Sequence, residues 1–161
     1  MQAWLKLLKD NDFIGVKKQI KNNADLEVSD ENGESVLSTA IKFKCDEDII
    51  NLLIDSGADV HSFDDEGVSI LDFAINGSNA NLVKRLVEEG VDINKTSRRS
   101  KFTALMAAVC YNEYEILKYL IEKKADLNAR DSSGFTAYTF AKKMRKQKMI
   151  NILVENGSPE Q

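Results

Sequence analysis

The chain carries few side chains that could act as nucleophiles or metal ligands: one histidine, His61, and two cysteines, Cys45 and Cys110. A zinc or haem site needs several ligands at characteristic spacings, and the sequence offers no second ligand for His61. His61 is therefore interpreted as a loop residue that bonds to nearby backbone, with a metal or haem ligand as the minor alternative. The cysteines fit neither a metal site nor a disulfide framework, so both are expected as free thiols. Cys110 could be a reactive thiol, but an inert, partly buried residue is favoured.

Two short acidic runs, Asp46–Asp48 and Asp64–Glu66, are the remaining candidates for a cation site. Neither has the alternating oxygen ligands or the glycine of a calcium loop, so a solvated surface is the favoured interpretation. The sequence also lacks the G-x-S-x-G motif of hydrolases and a glycine-rich phosphate loop. We therefore expect no catalytic residue, cofactor or metal, and we expect the function to reside in the protein surface.

The elements that would present this surface are copies of one another. An Ala-Asp dipeptide recurs in steps of 34, 33 and 34 residues, with Val91-Asp92 as one variant copy. The copies are Ala24-Asp25, Ala58-Asp59, Val91-Asp92 and Ala125-Asp126. In each copy, two sets of apolar residues at helical spacing predict two short amphipathic helices joined by a tight turn. Neither helix could bury its apolar side alone, so the copies are expected to stack on each other.

Other residue types keep the same register. Glycine recurs at Gly33, Gly67 and Gly134, with Lys101 where the fourth glycine would be. Ser35, Ser69, Thr103 and Thr136 follow two residues later, where they can cap the N–H groups of a helix. The glycine can adopt the positive φ that a connecting turn requires. Single-residue insertions break the register twice, within Lys44–Asp46 and within Thr96–Lys101.

This pattern resembles the ankyrin repeat. The motifs that carry the resemblance are Asp30-Glu31-Asn32-Gly33-Glu34-Ser35-Val36-Leu37, its copies at Asp64–Leu71 and Asp131–Ala137, and the closing Gly90-Val91-Asp92-Ile93-Asn94. The resemblance implies an all-α solenoid of stacked helix-turn-helix units with short β-hairpin-like turns. It also implies one domain, 1–161, made of an N-terminal cap at 1–29, repeats at 30–63, 64–96 and 97–130, and a C-terminal cap at 131–161. The only proline, Pro159, is expected in a frayed tail.

The resemblance further implies a non-enzymatic protein that binds a partner protein through its concave face. That face would consist of the turn tips and the exposed side of each first helix. The residues expected there are Glu31, Glu34, Phe43, Asp65, Glu66, Arg99, Phe102, Tyr111, Phe135 and Lys143. Aromatic and arginine side chains often dominate interface energies. For Phe102 and Phe135, packing on each other between adjacent turns is an equally weighted alternative to a binding role.

Charge is distributed unevenly along the chain. The net charge is −4, yet residues 25–94 sum to −13 and residues 95–148 sum to +8. Opposed charges would orient a partner more than strengthen its binding. An inhibitor or immunity-type role and an adaptor role both fit such a module. The alternative function is nucleic-acid binding through the basic half, residues 98–148, although the acidic half would repel phosphates.

The location and state of the chain are expected from simpler features. The N-terminus carries lysines through its apolar part and has no small-residue cleavage site, so it does not resemble a secretory signal. The sequence contains no run of about 18 apolar residues, so no membrane span is expected. A cytoplasmic, monomeric protein without cofactors is the resulting expectation.

Overall fold

The helical hairpin is the unit from which the whole described chain is built. The computed structural model describes residues 1–158, so Pro159 lies outside the described residues. Within this range, ten helices form five consecutive pairs, and the predicted all-α class is confirmed. The helices are α1 (Gln2–Lys9), α2 (Phe13–Lys21), α3 (Val36–Lys42), α4 (Glu47–Asp55), α5 (Ile70–Asn76), α6 (Ala80–Glu88), α7 (Ala104–Cys110), α8 (Tyr114–Glu122), α9 (Ala137–Lys143) and α10 (Gln147–Glu155). The odd-numbered helices are called first helices below, and the even-numbered ones second helices.

A hydroxyl side chain caps the N-terminus of each first helix after α1. The acceptors are Ser35 for the Ser38 N–H at 3.2 Å, Ser69 for Asp72 at 3.1 Å, Thr103 for Met106 at 3.3 Å and Thr136 for Thr139 at 3.2 Å. Such caps stabilise a helix by about 1 kcal/mol each. The predicted capping role of these residues is confirmed at all four positions.

The first helices form the interior of the repeats. In α3 every residue from Val36 to Ile41 is buried, and in α7 every residue from Ala104 to Val109 is buried. The second helices bury one side only. The leucines predicted to form the core are at most 3% exposed, and they are Leu37, Leu53, Leu71, Leu86, Leu105, Leu120 and Leu153.

The turns between pairs are hairpin-like and are joined at their tips. Isolated antiparallel bridges link Ser29 with Ser35 and Phe63 with Ser69. The Asp65 N–H donates to the Asn32 carbonyl at 3.0 Å, and the Ser132 N–H donates to the Ser100 carbonyl at 2.7 Å. These backbone hydrogen bonds place the tip of one turn directly against the tip of the next.

Positive φ values occur where the sequence predicts them. Gly33, Gly67 and Gly134 have φ between +76° and +83°, and Lys101 adopts +54° at the equivalent position. A side chain in this region is sterically disfavoured. Lys101 therefore occupies a backbone conformation that the other repeats assign to glycine.

The loop of the second pair is one residue longer than that of the fourth pair, and its Cys45 is buried. Four residues separate α3 from α4, whereas three separate α7 from α8. The Cys45 thiol donates to the Leu8 carbonyl at 3.2 Å, and the Asp46 N–H donates to Asn11 Oδ1 at 2.9 Å. The longer loop consequently docks on the loop between α1 and α2.

The chain separates into two compact parts, each larger than a single helix pair. The first unit is Met1–Phe73, and the second unit begins at Ala74. The sequence-derived boundaries of a single domain with five repeat units stay predictions. None of the helices in residues 1–158 has both the length and the apolar character needed to cross a bilayer.

Gly33 should be sensitive to a single added methyl group. A Cβ there would lie 2.5 Å from Asp65 Oδ1 and 2.9 Å from the Asp65 nitrogen, at the junction of two turn tips. We expect Gly33→Ala to lower the free energy of unfolding by roughly 2 kcal/mol or more in chemical denaturation.

Gly57→Ala is the matched control, because Gly57 also has a positive φ but a Cβ there would meet no atom within 4 Å. Its free energy of unfolding should fall by only about 1 kcal/mol, which is the cost of placing alanine in a backbone conformation with positive φ. Equal losses in the two variants would contradict the close approach of the turn tips.

Candidate protein-binding surface

An acidic cleft lies between two neighbouring turns of the first unit. Its cavity of about 370 Å³ is lined by Glu31, Asn32, Glu34, Asp64, Asp65 and Glu66. The hydrogen bond between Asp65 and Asn32 holds the two turn tips together. The structure thus brings together four carboxylates that the sequence analysis expected on the binding face of separate repeats: Glu31, Glu34, Asp65 and Glu66.

One of these carboxylates is not free. Glu34 is 8% exposed and pairs with Lys42 of α3 at 2.6 Å. The hydrogen bond that the Lys42 ammonium donates to Glu34 holds the pKa of Lys42 above its ordinary value, against a lowering by partial burial. The charges of Glu34, Asp30 and Asp64 add to the rise. Glu34 therefore forms part of the cleft wall rather than a solvated contact residue.

Phe43 follows α3 directly and is 37% exposed. The ammonium group of Lys9 lies 5.8 Å from the centre of its ring. The ring is therefore partly covered by a cation but still offers apolar area to solvent.

The aromatic residues of the second unit form a cluster. Phe140 of α9 makes edge-to-face contacts with Phe102 and Phe135, with ring centres 5.5 Å and 5.9 Å apart. Phe102 and Phe135 are consequently half-buried. Their rings are therefore not fully exposed at the turn tips, since both pack on Phe140 of helix α9. A binding role for Phe102 and Phe135 stays a prediction.

Cations cover the faces of these rings. The Lys143 ammonium lies 3.3 Å from the centre of the Phe135 ring, and the Arg98 guanidinium lies 5.6 Å from that of Phe102. Such contacts are worth about 0.5–1 kcal/mol at exposed sites. Lys143 is thereby positioned over the turn, while its charge stays in solvent. Arg99 lies exposed in the neighbouring turn.

Tyr111 and Met144 occupy equivalent positions after α7 and α9, and they are 47% and 44% exposed. Lys146 connects these two helix ends, because its ammonium group donates to the carbonyls of Val109 and Cys110 at 2.8 Å each. A lysine bonded to the last carbonyls of a helix also complements the helix dipole. Tyr111 and Met144 are thus held on the same side of the second unit.

The cysteines and the histidine show no sign of chemistry. Burial raises the pKa of both thiols, while the charge of Lys146 partly offsets the rise at Cys110. Neither thiol is therefore activated as a nucleophile. His61 is exposed, and its backbone N–H donates to the Asp59 carboxylate at 2.8 Å. In residues 1–158 no group of three or more His, Cys, Asp or Glu residues could hold a metal ion.

Sequence reasoning assigned no role to Phe140 and Lys146, and it left Asn32, Asp64 and Met144 out of the final set of binding residues. The available signal for Phe140 was an aromatic residue at a repeat position that α5 also fills with phenylalanine, whereas α3 has threonine and α7 has alanine there. Nothing in the sequence distinguishes Lys146 from the basic residues around it, because all of them are expected on the polar surface. Asp64 and Asn32 became relevant only when two turns were placed side by side.

Five pairs of helices joined by hairpin-like turns define a helical repeat protein. A family model that describes three copies of the ankyrin repeat matches this chain twice, at residues 6–97 and at residues 74–160. The chain belongs to the ankyrin repeat family. Ankyrin repeats are generally protein–protein interaction modules.

Known relatives are similar over most of this chain. An ankyrin repeat protein of Acanthamoeba polyphaga mimivirus is 30% identical over 151 residues, which is 90% of this chain and 20% of that protein. An ankyrin repeat-containing protein of Treponema pallidum is 27% identical over 111 residues, 69% of this chain and 37% of that protein. An L-asparaginase of Dirofilaria immitis is 27% identical over 149 residues, 92% of this chain and 25% of that enzyme. The chain thus spans only a minor part of the length of each relative.

Lys146 should stabilise the second unit through its two carbonyl hydrogen bonds. We expect Lys146→Met to lower the free energy of unfolding by about 1–3 kcal/mol, since the bonds involve a charged donor. The variant should also raise the pKa of the Cys110 thiol, because Lys146 lowers it in the parent. The midpoint of the pH profile for alkylation of Cys110 should then move to higher pH.

Lys95→Met removes an exposed lysine of the same unit and serves as the control. It should change neither the unfolding transition nor the alkylation profile. If both variants behaved like the parent, Lys146 would not hold the ends of α7 and α9 together.

Proposed function

We propose that this chain is a non-enzymatic protein-binding domain whose binding surface consists of the hairpin tips and the C-terminal ends of the first helices. One observation carries the proposal. Five large apolar side chains are exposed in residues 1–158, and three of them, Phe43, Tyr111 and Met144, occupy the same position after a first helix. Chance exposure would not select one repeat position.

The charge around these side chains supports a binding role in each unit. In the first unit the acidic cleft suits a basic side chain of a partner, since its carboxylates converge on one cavity. In the second unit Lys143 and Arg145 flank Met144 and are exposed. Exposed apolar groups with charged surroundings are typical of protein interfaces. An inhibitor and an adaptor would both act by occupying such a surface.

Nucleic-acid binding through residues 98–148 is less well supported. Stacking on bases requires free faces of aromatic rings. The faces of Phe102 and Phe135 already carry Arg98 and Lys143, and their edges meet Phe140. Of the aromatic residues Phe102, Tyr111 and Phe135 in this half, Tyr111 is the exposed one.

Site-specific photo-cross-linking tests the proposed surface. A photoreactive phenylalanine analogue placed at Phe43, Tyr111 or Met144, in cells that express the chain, should yield discrete cross-linked protein adducts. The matched controls are Asn81 of α6 and Lys118 of α8, which are exposed on second helices. Adducts from the control positions but not from the three test positions would place the partner on the second helices and contradict the proposal.

A further inference from the structure

The ends of α7 and α9 carry positive charge that the protein itself does not neutralise. Lys143 and Arg145 are exposed, and no carboxylate in residues 1–158 pairs with either. Residues 95–148 sum to a charge of +8, so the acidic residues of that stretch do not balance these two cations. We call Tyr111, Lys143, Met144 and Arg145 the basic–apolar patch.

The two apolar members of this patch are separated by one helix-packing distance. They follow α7 and α9, which pack against each other. Packed helices lie roughly 8–10 Å apart. A polyproline II segment has three residues per turn and rises about 3.1 Å per residue, so its side chains i and i+3 share one face roughly 9 Å apart. Tyr111 and Met144 therefore match two side chains three residues apart in a segment of that extended conformation.

The positive charges of the patch favour a segment that contains acidic side chains. A peptide that places carboxylates beside Lys143 and Arg145 would find two cations without competing partners, and Lys143 is positioned by Phe135. Nucleobases would find only Tyr111 exposed among the aromatic rings Phe102, Tyr111 and Phe135, because Arg98 and Lys143 lie over the other two.

We propose, resting on the proposed function, that the basic–apolar patch binds an extended acidic segment of a partner protein. Carboxylates of the segment lie beside Lys143 and Arg145, and two apolar side chains three residues apart, on one face of a polyproline II segment, contact Tyr111 and Met144. The charges provide orientation and rate of association, and the apolar contacts provide most of the affinity.

Selection of short random peptides displayed on phage against the full chain tests this assignment. The selected peptides are then measured by fluorescence polarisation with the parent, with Lys143→Glu/Arg145→Glu, and with Lys95→Glu/Lys124→Glu. The control pair changes the same charge at exposed lysines of the same unit. An oligothymidylate of similar length is measured alongside at low salt, and a thermal transition checks folding of each variant.

We expect the peptides to be enriched in Asp and Glu around two apolar residues. Their affinity should fall about tenfold or more in the patch variant, stay unchanged in the control, and weaken as salt is raised. No acidic enrichment, or equal loss in both variants, would overturn the inference. Oligothymidylate binding that the patch variant alone loses, without peptide binding, would replace it by nucleic-acid binding.

The same experiment separates this inference from the proposed function. Peptides that ignore Lys143→Glu/Arg145→Glu but are lost in Phe43→Ala would overturn the acidic-segment assignment and leave the protein-binding surface in place. Peptides that bind the parent, both charge variants and Phe43→Ala alike would count against both.

Discussion

Burial of the first helices is the constraint on which the rest of the structure depends. The helices have 7 to 9 residues, and isolated helices shorter than about 12–15 residues are marginal in water. They persist because α3 and α7 bury every residue except the last one, each buried leucine or isoleucine contributing about 1.5–3 kcal/mol. A helix buried to that extent has only its C-terminal end left for recognition.

That constraint explains why function and stability use different residues. Interior positions such as Ala108 and Leu105 hold the repeats together, whereas the residues that follow α3, α7 and α9 are exposed. Phe43, Tyr111 and Met144 are placed there at little cost to the fold. Lys146 joins the two roles, since it satisfies helix carbonyls and also holds two such ends on one side.

Much of the fold was predictable because it depends on local rules. Ser35 and Thr136 are caps in any context, and Gly33 is required by its backbone conformation. The candidate surface was predictable only in part. Phe102 meets Phe140, a residue 38 positions away, and no local pattern announces that contact. Glu34 and Asp65 were both selected as acidic residues, but the cleft that they share exists only when two turns lie side by side.

Hydrogen exchange of the chain with and without its cross-linked partner tests the central assignment most directly. The account predicts slower exchange at backbone amides in residues 109–113 and 142–146, where first helices end, and unchanged exchange in α6, residues 80–88. Slower exchange confined to the second helices, with residues 109–113 and 142–146 unaffected, would contradict it.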